Sequence, residues 1–155
     1  MHMIKDKKVF ISGAISSELH TYKAKFAAAE AFLTAPRSVE EIQQEKPHCI
    51  VMNPAILPLG FEHEDYIAIC ITMIDACDTV VFLHDWESSP GAQLEMRHAK
   101  YYLKEILFFD DIVAEAVLDQ LIDLRSSRIM DGSKAGIEDA AAISWAIRNI
   151  KKTML

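Results

Sequence analysis

Short unbroken apolar runs alternate along this chain with stretches of helical spacing. Thr79-Val80-Val81-Phe82-Leu83 is β-branched and apolar without alternation, which predicts a strand covered on both faces in a parallel sheet. Val9-Phe10-Ile11, Cys49-Ile50-Val51-Met52 and Ile106-Leu107-Phe108-Phe109 read as three further strands, the last closed by Asp110-Asp111. Between them lie predicted helices over Thr21 to Leu33, rich in alanine with Phe26 and Phe32 as bulk, over His63 to Cys77, and from Ser89 to about Leu103. The His63 helix is apolar on more than one stripe, so one face is expected to meet the sheet and another a neighbouring helix or subunit.

The connections are marked by breakers. Residues 34–46 turn polar, with a short helix expected over Val39 to Gln44 and Pro47 ending it. Asn53-Pro54 ends the second strand, and two prolines and a glycine within 53–61 are expected to stop any regular element there. Beyond the fourth strand, Ile112 to Leu124 and Ile137 to Lys151 have helical periodicity on either side of the turn Asp131-Gly132-Ser133. They read as an appendage, about 111–155, that covers an edge or forms an oligomer contact.

Composition narrows the function classes. With 155 residues, 51% hydrophobic and 25% charged, the chain is expected to form one globular domain with a real core. A net charge of -7 argues against binding a nucleic-acid polymer, which needs clustered Lys and Arg. The three cysteines lack metal-ligand spacing and read as reduced core thiols. No apolar segment is long enough to span a bilayer and the first residues lack the apolar centre of a secretory signal, so a cytoplasmic protein without membrane partners is expected.

Chemistry concentrates where strands run into helices, because ligands of open α/β sheets bind at the carboxyl ends of strands. After the Thr79 strand, Ser89 or Ser88 can cap the next helix, Pro90 suits its first turn, and Gly91 permits close backbone approach. Glu95 then sits about one turn inside, where the helix dipole favours an ionised carboxylate. Its two readings are a dipole-complementing surface acid and a nucleophile for an electrophilic carbon. Ser12-Gly13-Ala14-Ile15-Ser16-Ser17 is either a ligand loop, with Gly13 admitting the backbone and hydroxyls meeting ligand oxygens, or an ordinary capped turn. Glycosidic cleavage also needs a second acid, for which Asp65, Asp85 and Glu87 are candidates. Trp86 either stacks on a base or packs, and Asn53 at the end of the second strand joins the candidate contacts. His63-Glu64-Asp65 does not make a metal site, since consecutive helical residues diverge, and no cofactor is expected. His84 and His98 carry no assignment.

Phe10-Ile11-Ser12-Gly13-Ala14-Ile15, Asp75-Ala76-Cys77-Asp78-Thr79-Val80-Val81 and Ser89-Pro90-Gly91-Ala92-Gln93-Leu94-Glu95, in that order, resemble the nucleoside 2-deoxyribosyltransferase superfamily, nearest its small bacterial and phage branch. The resemblance covers residues from about 8 to 110. It implies a three-layer α/β domain with a mainly parallel, flavodoxin-like (Rossmann-like) sheet, followed here by the two extra helices. It implies too that Glu95 attacks the anomeric carbon of a nucleoside or nucleotide, that Ser89 contributes to phosphate binding as in the related 2′-deoxynucleoside 5′-phosphate N-hydrolases, and that Gly13, Ala14 and Ile15, with Ser16 following, line the sugar or base site. Homo-oligomers are the rule in that superfamily, so at least a dimer is expected. Its enzymes commonly carry an aspartate about two turns ahead of the central strand; here that region is Ile69-Cys70-Ile71, and Asp65 lies further upstream. The alternative function is a nucleotide-binding or sensor module that does no chemistry.

Overall fold

The computed structural model describes residues 3–15 and 21–153. Two compact units divide the chain, His2–Phe109 and Asp110–Leu155. The first is an α/β unit built on four parallel strands: β1 (Lys8–Ser12), β2 (Ile50–Met52), β3 (Thr79–Phe82) and β4 (Glu105–Phe108). Their order is β2-β1-β3-β4, the parallel sheet that the apolar runs predict, in the flavodoxin-like arrangement that the resemblance implies. Between them run α1 (Thr21–Thr34), α2 (Val39–Gln43), α3 (His63–Asp75) and α4 (Pro90–Tyr101).

Strand register decides which residues share a face. Phe10 pairs with Val80 and Ser12 with Phe82, so these four side chains project to the same side. That side is covered by α3 and α4, and its core joins Phe10, Val80 and Phe82 to Cys70, Ile74, Cys77, Met96 and Ala99. Val9, Ile11 and Val81 point the other way, where α1 packs on β1 and β2 with Phe26 and Leu33 fully buried. The right-handedness of parallel crossovers explains the division: the connection from β1 runs one way along the sheet and those from β2 and β3 the other. The resulting crevice lies between the carboxyl ends of β1 and β3.

Several boundaries differ from the sequence expectation. Pro54–Ile56 forms a single 3-10 turn where no regular element was expected, because Asn53 caps it by accepting the Ala55 N–H at 2.9 Å and Pro54 fits a first turn. The polar excursion hides a buried pair: Glu41 on α2 meets His48 Nδ1 at 3.0 Å, and both are almost fully buried. The Arg37 backbone N–H, at 2.6 Å, and His48 hold the Glu41 carboxyl below its usual range against the pull of burial. On α3 one apolar stripe, including Cys70 and Ile74, joins the core, while Ile69 and Met73 line a shallow open groove with Met52.

The second unit comprises most of α5 (Phe109–Asp131) and α6 (Lys134–Thr153). Helix α5 starts at Phe109 rather than Ile112, since Asp110 and Asp111 are first-turn acids that favour a helix N-terminus instead of closing a strand. Gly132, at φ +71°, turns the chain, and Ser133 Oγ accepts the Gly136 N–H at 2.9 Å to start α6. Gly136 must stay bare, because a Cβ there would lie 2.6 Å from the Arg128 carbonyl oxygen. Among the described residues no helix is long and apolar enough to cross a membrane.

Candidate functional site

A cavity of about 390 Å³ opens at the carboxyl ends of β1 and β3. Its walls are mostly apolar: Ile15 after β1, Tyr22 on α1, Pro54, Leu57 and Leu59 after β2, and Tyr66 and Ile67 on α3. The Tyr66 hydroxyl donates to the Pro58 carbonyl at 2.6 Å and accepts the Phe61 N–H at 3.3 Å, pinning the 57–61 segment as a wall. The start of α4 closes the opposite side, where Ser89 Oγ caps the helix by accepting the Ala92 N–H at 3.2 Å.

Glu95 lines this cavity and is only 7% exposed. It lies one turn and a half into α4, on the face turned to the sheet, so it meets the face of β1 that carries Ser12. The Ser12 hydroxyl donates to Glu95 Oε2, and the Cys70 thiol of α3 hydrogen-bonds the same carboxyl. Burial pushes the Glu95 carboxyl up to about 7, more than the two hydrogen bonds pull it down. The dipole at the start of α4 was expected to keep this group ionised; desolvation outweighs it, and near neutral pH the proton is shared between the two states. Burial and the neighbouring Glu95 push the Cys70 thiol up to about 12, so it stays a thiol and a hydrogen-bond donor.

A family model described as a domain of unknown function, DUF4406, matches residues 7–108, more than half of the chain and nearly all of the α/β unit. The chain belongs to the DUF4406 family. No curated protein and no solved structure matches it.

Within this DUF4406 domain the predicted site residues separate into three groups. Gly13, Ile15, Ser89, Gly91 and Glu95 line the cavity, and Ser12 stands directly behind Glu95. Ala14 and Asp85 form a clamp beside it: the Asp85 carboxylate accepts the Ala14 N–H at 3.0 Å and pairs with the Lys25 ammonium, which also donates to the Ala14 carbonyl at 2.8 Å. Burial alone would raise the Asp85 carboxyl, but Lys25 and the Ala14 N–H hold it below its usual range. Asp85 thus fastens the loop after β1 to the loop after β3. Asp65, Asn53 and Trp86 do not line the cavity. Asp65 accepts the Glu62 N–H at 3.1 Å in the capping box of α3, a local bond that uses its carboxylate at the helix start. The Asn53 amide donates to Glu30 at 2.8 Å. Trp86 packs on Phe82 and Phe108, with ring centroids 5.3 and 6.3 Å away, as its apolar surface at a strand end favours. Ser16 lies outside the described residues.

Sequence reasoning missed Tyr22, Tyr66 and Cys70 as wall residues. The signal for two of them was present, since Tyr66, Ile67 and Cys70 follow helical spacing on one face of α3. His63 also reaches the lining, and His98 pairs with Asp75 at 2.6 Å. Among the described residues no group of three or more His, Cys, Asp or Glu could hold a metal ion.

Gly13 is required by a close approach. A Cβ at that position would lie 3.0 Å from Leu83 Cβ and 3.2 Å from Asp85 Oδ1. Gly13→Ala is therefore expected to push the two loops apart and lower stability by about 1–3 kcal/mol, read as a reduced urea midpoint with the same slope. An unchanged midpoint would show that the loops yield freely. At Gly91 an added Cβ would meet Ile67 Cδ1 at 3.4 Å and Ser89 Oγ at 3.8 Å, ordinary van der Waals contacts, so packing there tolerates alanine.

Proposed function

We propose that this DUF4406 domain breaks the N-glycosidic bond of a nucleoside or nucleoside monophosphate, with Glu95 as nucleophile. The observation that carries the reading is a buried carboxyl on the wall of a small apolar cavity, held by Ser12 and Cys70. In its ionised form a Glu95 oxygen attacks the anomeric carbon; the C–N bond breaks, its electron pair leaves on the base nitrogen, and the departing base takes up a proton. The sugar is then an ester of Glu95. Water, giving up a proton, or the ring nitrogen of a second base attacks the same carbon and releases the carboxylate, completing hydrolysis or transfer. His63 on the cavity lining is the side chain we assign to carry the proton for the base, in place of Asp65 and Asp85.

The cavity volume falls within the range of roughly 300–1,000 Å³ usual for small-molecule sites. Incubation with a panel of deoxynucleosides, ribonucleosides and their monophosphates, with free base followed by chromatography, is expected to show release by the wild type and none by Glu95→Ala. Equal release by the variant, or none from any substrate by the wild type, overturns the enzyme reading. A non-catalytic binding module is the second reading, favoured by the position of Asp65 and Asp85 off the cavity. It predicts a ligand-induced rise in melting temperature without free base.

A further inference from the structure

We propose that the open groove beside α3 docks a second copy of this chain, α3 against α3 across a twofold axis near Thr72. The inference is independent of the reading of Glu95. Helix α3 carries two apolar faces: Tyr66, Ile67 and Cys70 line the cavity, while Ala68, Ile69, Thr72, Met73 and Ala76 recur at helical spacing along another stripe. With Met52 of β2 that second stripe walls a groove of about 430 Å³. The sheet continues it. Lys8 pairs with Ile50 and Phe10 with Met52, so these side chains project to the side that α3 covers, yet Ile50 on the edge strand β2 stays 59% exposed. Ile69 and Met73 are half-buried, and the exposed Ala68, Thr72 and Ala76 are small enough to let another helix approach closely.

Charge decides which partner fits. Among the described residues that line the groove none is charged, but its two ends carry opposite signs. At the start of α3 stand the exposed acids Glu62, Glu64 and Asp65 around His63, with Asp65 in line with Ile69 and Thr72 by helical spacing. Helix and strand run in opposite directions in a parallel crossover, so the other end lies where β1 begins, at Lys8. Among the described residues neither Asp65 nor Lys8 is held in an ion pair: Asp65 accepts the Glu62 N–H, and Asp78 accepts the Lys8 backbone N–H at 2.9 Å, leaving the ammonium unspent. A peptide of one charge sign meets one end that repels it, and an anionic lipid surface meets three acids. A second copy laid antiparallel brings the acidic start of each α3 to the Lys8 end of the other. Both ends are then matched by one contact, as an isologous interface requires.

The test is sedimentation velocity of the full chain at micromolar concentration, with far-UV circular dichroism and the urea midpoint as folding controls. The wild type is expected to sediment as a dimer. Thr72→Arg and Thr72→Glu, changes at an exposed position, should each keep the fold and weaken the dimer roughly tenfold or more, because each sets like charges against one another across the axis. Mixed in equal amounts, the two variants are expected to recover a dimer holding one of each, a result that only pairing between copies gives. Lys8→Glu, outside the helix, is expected to weaken the dimer as well. A monomeric wild type, variants that all dimerise as well as the wild type, or two monomeric Thr72 variants that fail to pair on mixing overturns the proposal.

Discussion

Glu95→Gln is expected to raise the melting temperature at pH 8 by roughly 6–12 °C and to leave it almost unchanged at pH 4. The reason is proton linkage. In the unfolded chain a glutamate titrates near its ordinary value of 4.5, whereas in the fold burial holds Glu95 up at about 7. Between those values the folded state binds more protons than the unfolded state, so the free energy of unfolding falls as pH rises. The loss begins near pH 4.5 and is complete once the pH has passed about 7. At about 1.4 kcal/mol per pH unit, it amounts to about 3 kcal/mol. Glutamine keeps the shape and a carbonyl acceptor for Ser12 and Cys70 without ever ionising, so the variant escapes this penalty. Subtracting the variant curve from the wild-type curve isolates Glu95 from Glu41 and Asp85, whose lowered values place their own losses of stability on the acid side. Parallel stability curves across pH 4 to 8 would show that Glu95 is not the desolvated group described above.

The same substitution is expected to abolish base release, by roughly three or more orders of magnitude in kcat, because a neutral amide cannot form the glycosyl ester. For the wild type the reactive form is the carboxylate, so kcat/KM should climb with pH and level off above about 7, the value set by burial. Ser12→Ala removes a hydrogen bond that favours the ionised form, and its rising limb should therefore move to higher pH with the plateau less affected. A merely structural serine would lower the rate without moving the limb. A flat profile between pH 5 and 8 would contradict a carboxylate nucleophile with this environment. On the proposed function the stability gain and the activity loss share one cause: the desolvation that makes an ionised Glu95 costly in the fold would also leave it poorly solvated as a nucleophile.

Much of the α/β unit is legible in the residues themselves. Unbroken apolar runs mark all four strands to within about one residue, and Ser89-Pro90-Gly91 marks the start of α4 because capping and proline preferences act within a single turn. The position of Glu95 at the carboxyl end of the sheet follows from that local pattern and the geometry of parallel crossovers. Helix α5 was read short, since Asp110-Asp111 is compatible with both a strand end and a helix start.

Local patterning therefore determined the elements, their order and the face that carries Glu95, for each depends on neighbours within a turn or a strand. Only the tertiary structure decided what surrounds that carboxyl. Ser12 is 83 residues away from it and Cys70 arrives on a different helix, while the Lys25–Asp85 clamp that ties the neighbouring loops joins positions 60 apart. Desolvation sums over everything packed around the carboxyl, and it outweighed both the hydrogen bonds from Ser12 and Cys70 and the full ionisation expected from the helix dipole, a force that acts within a single turn.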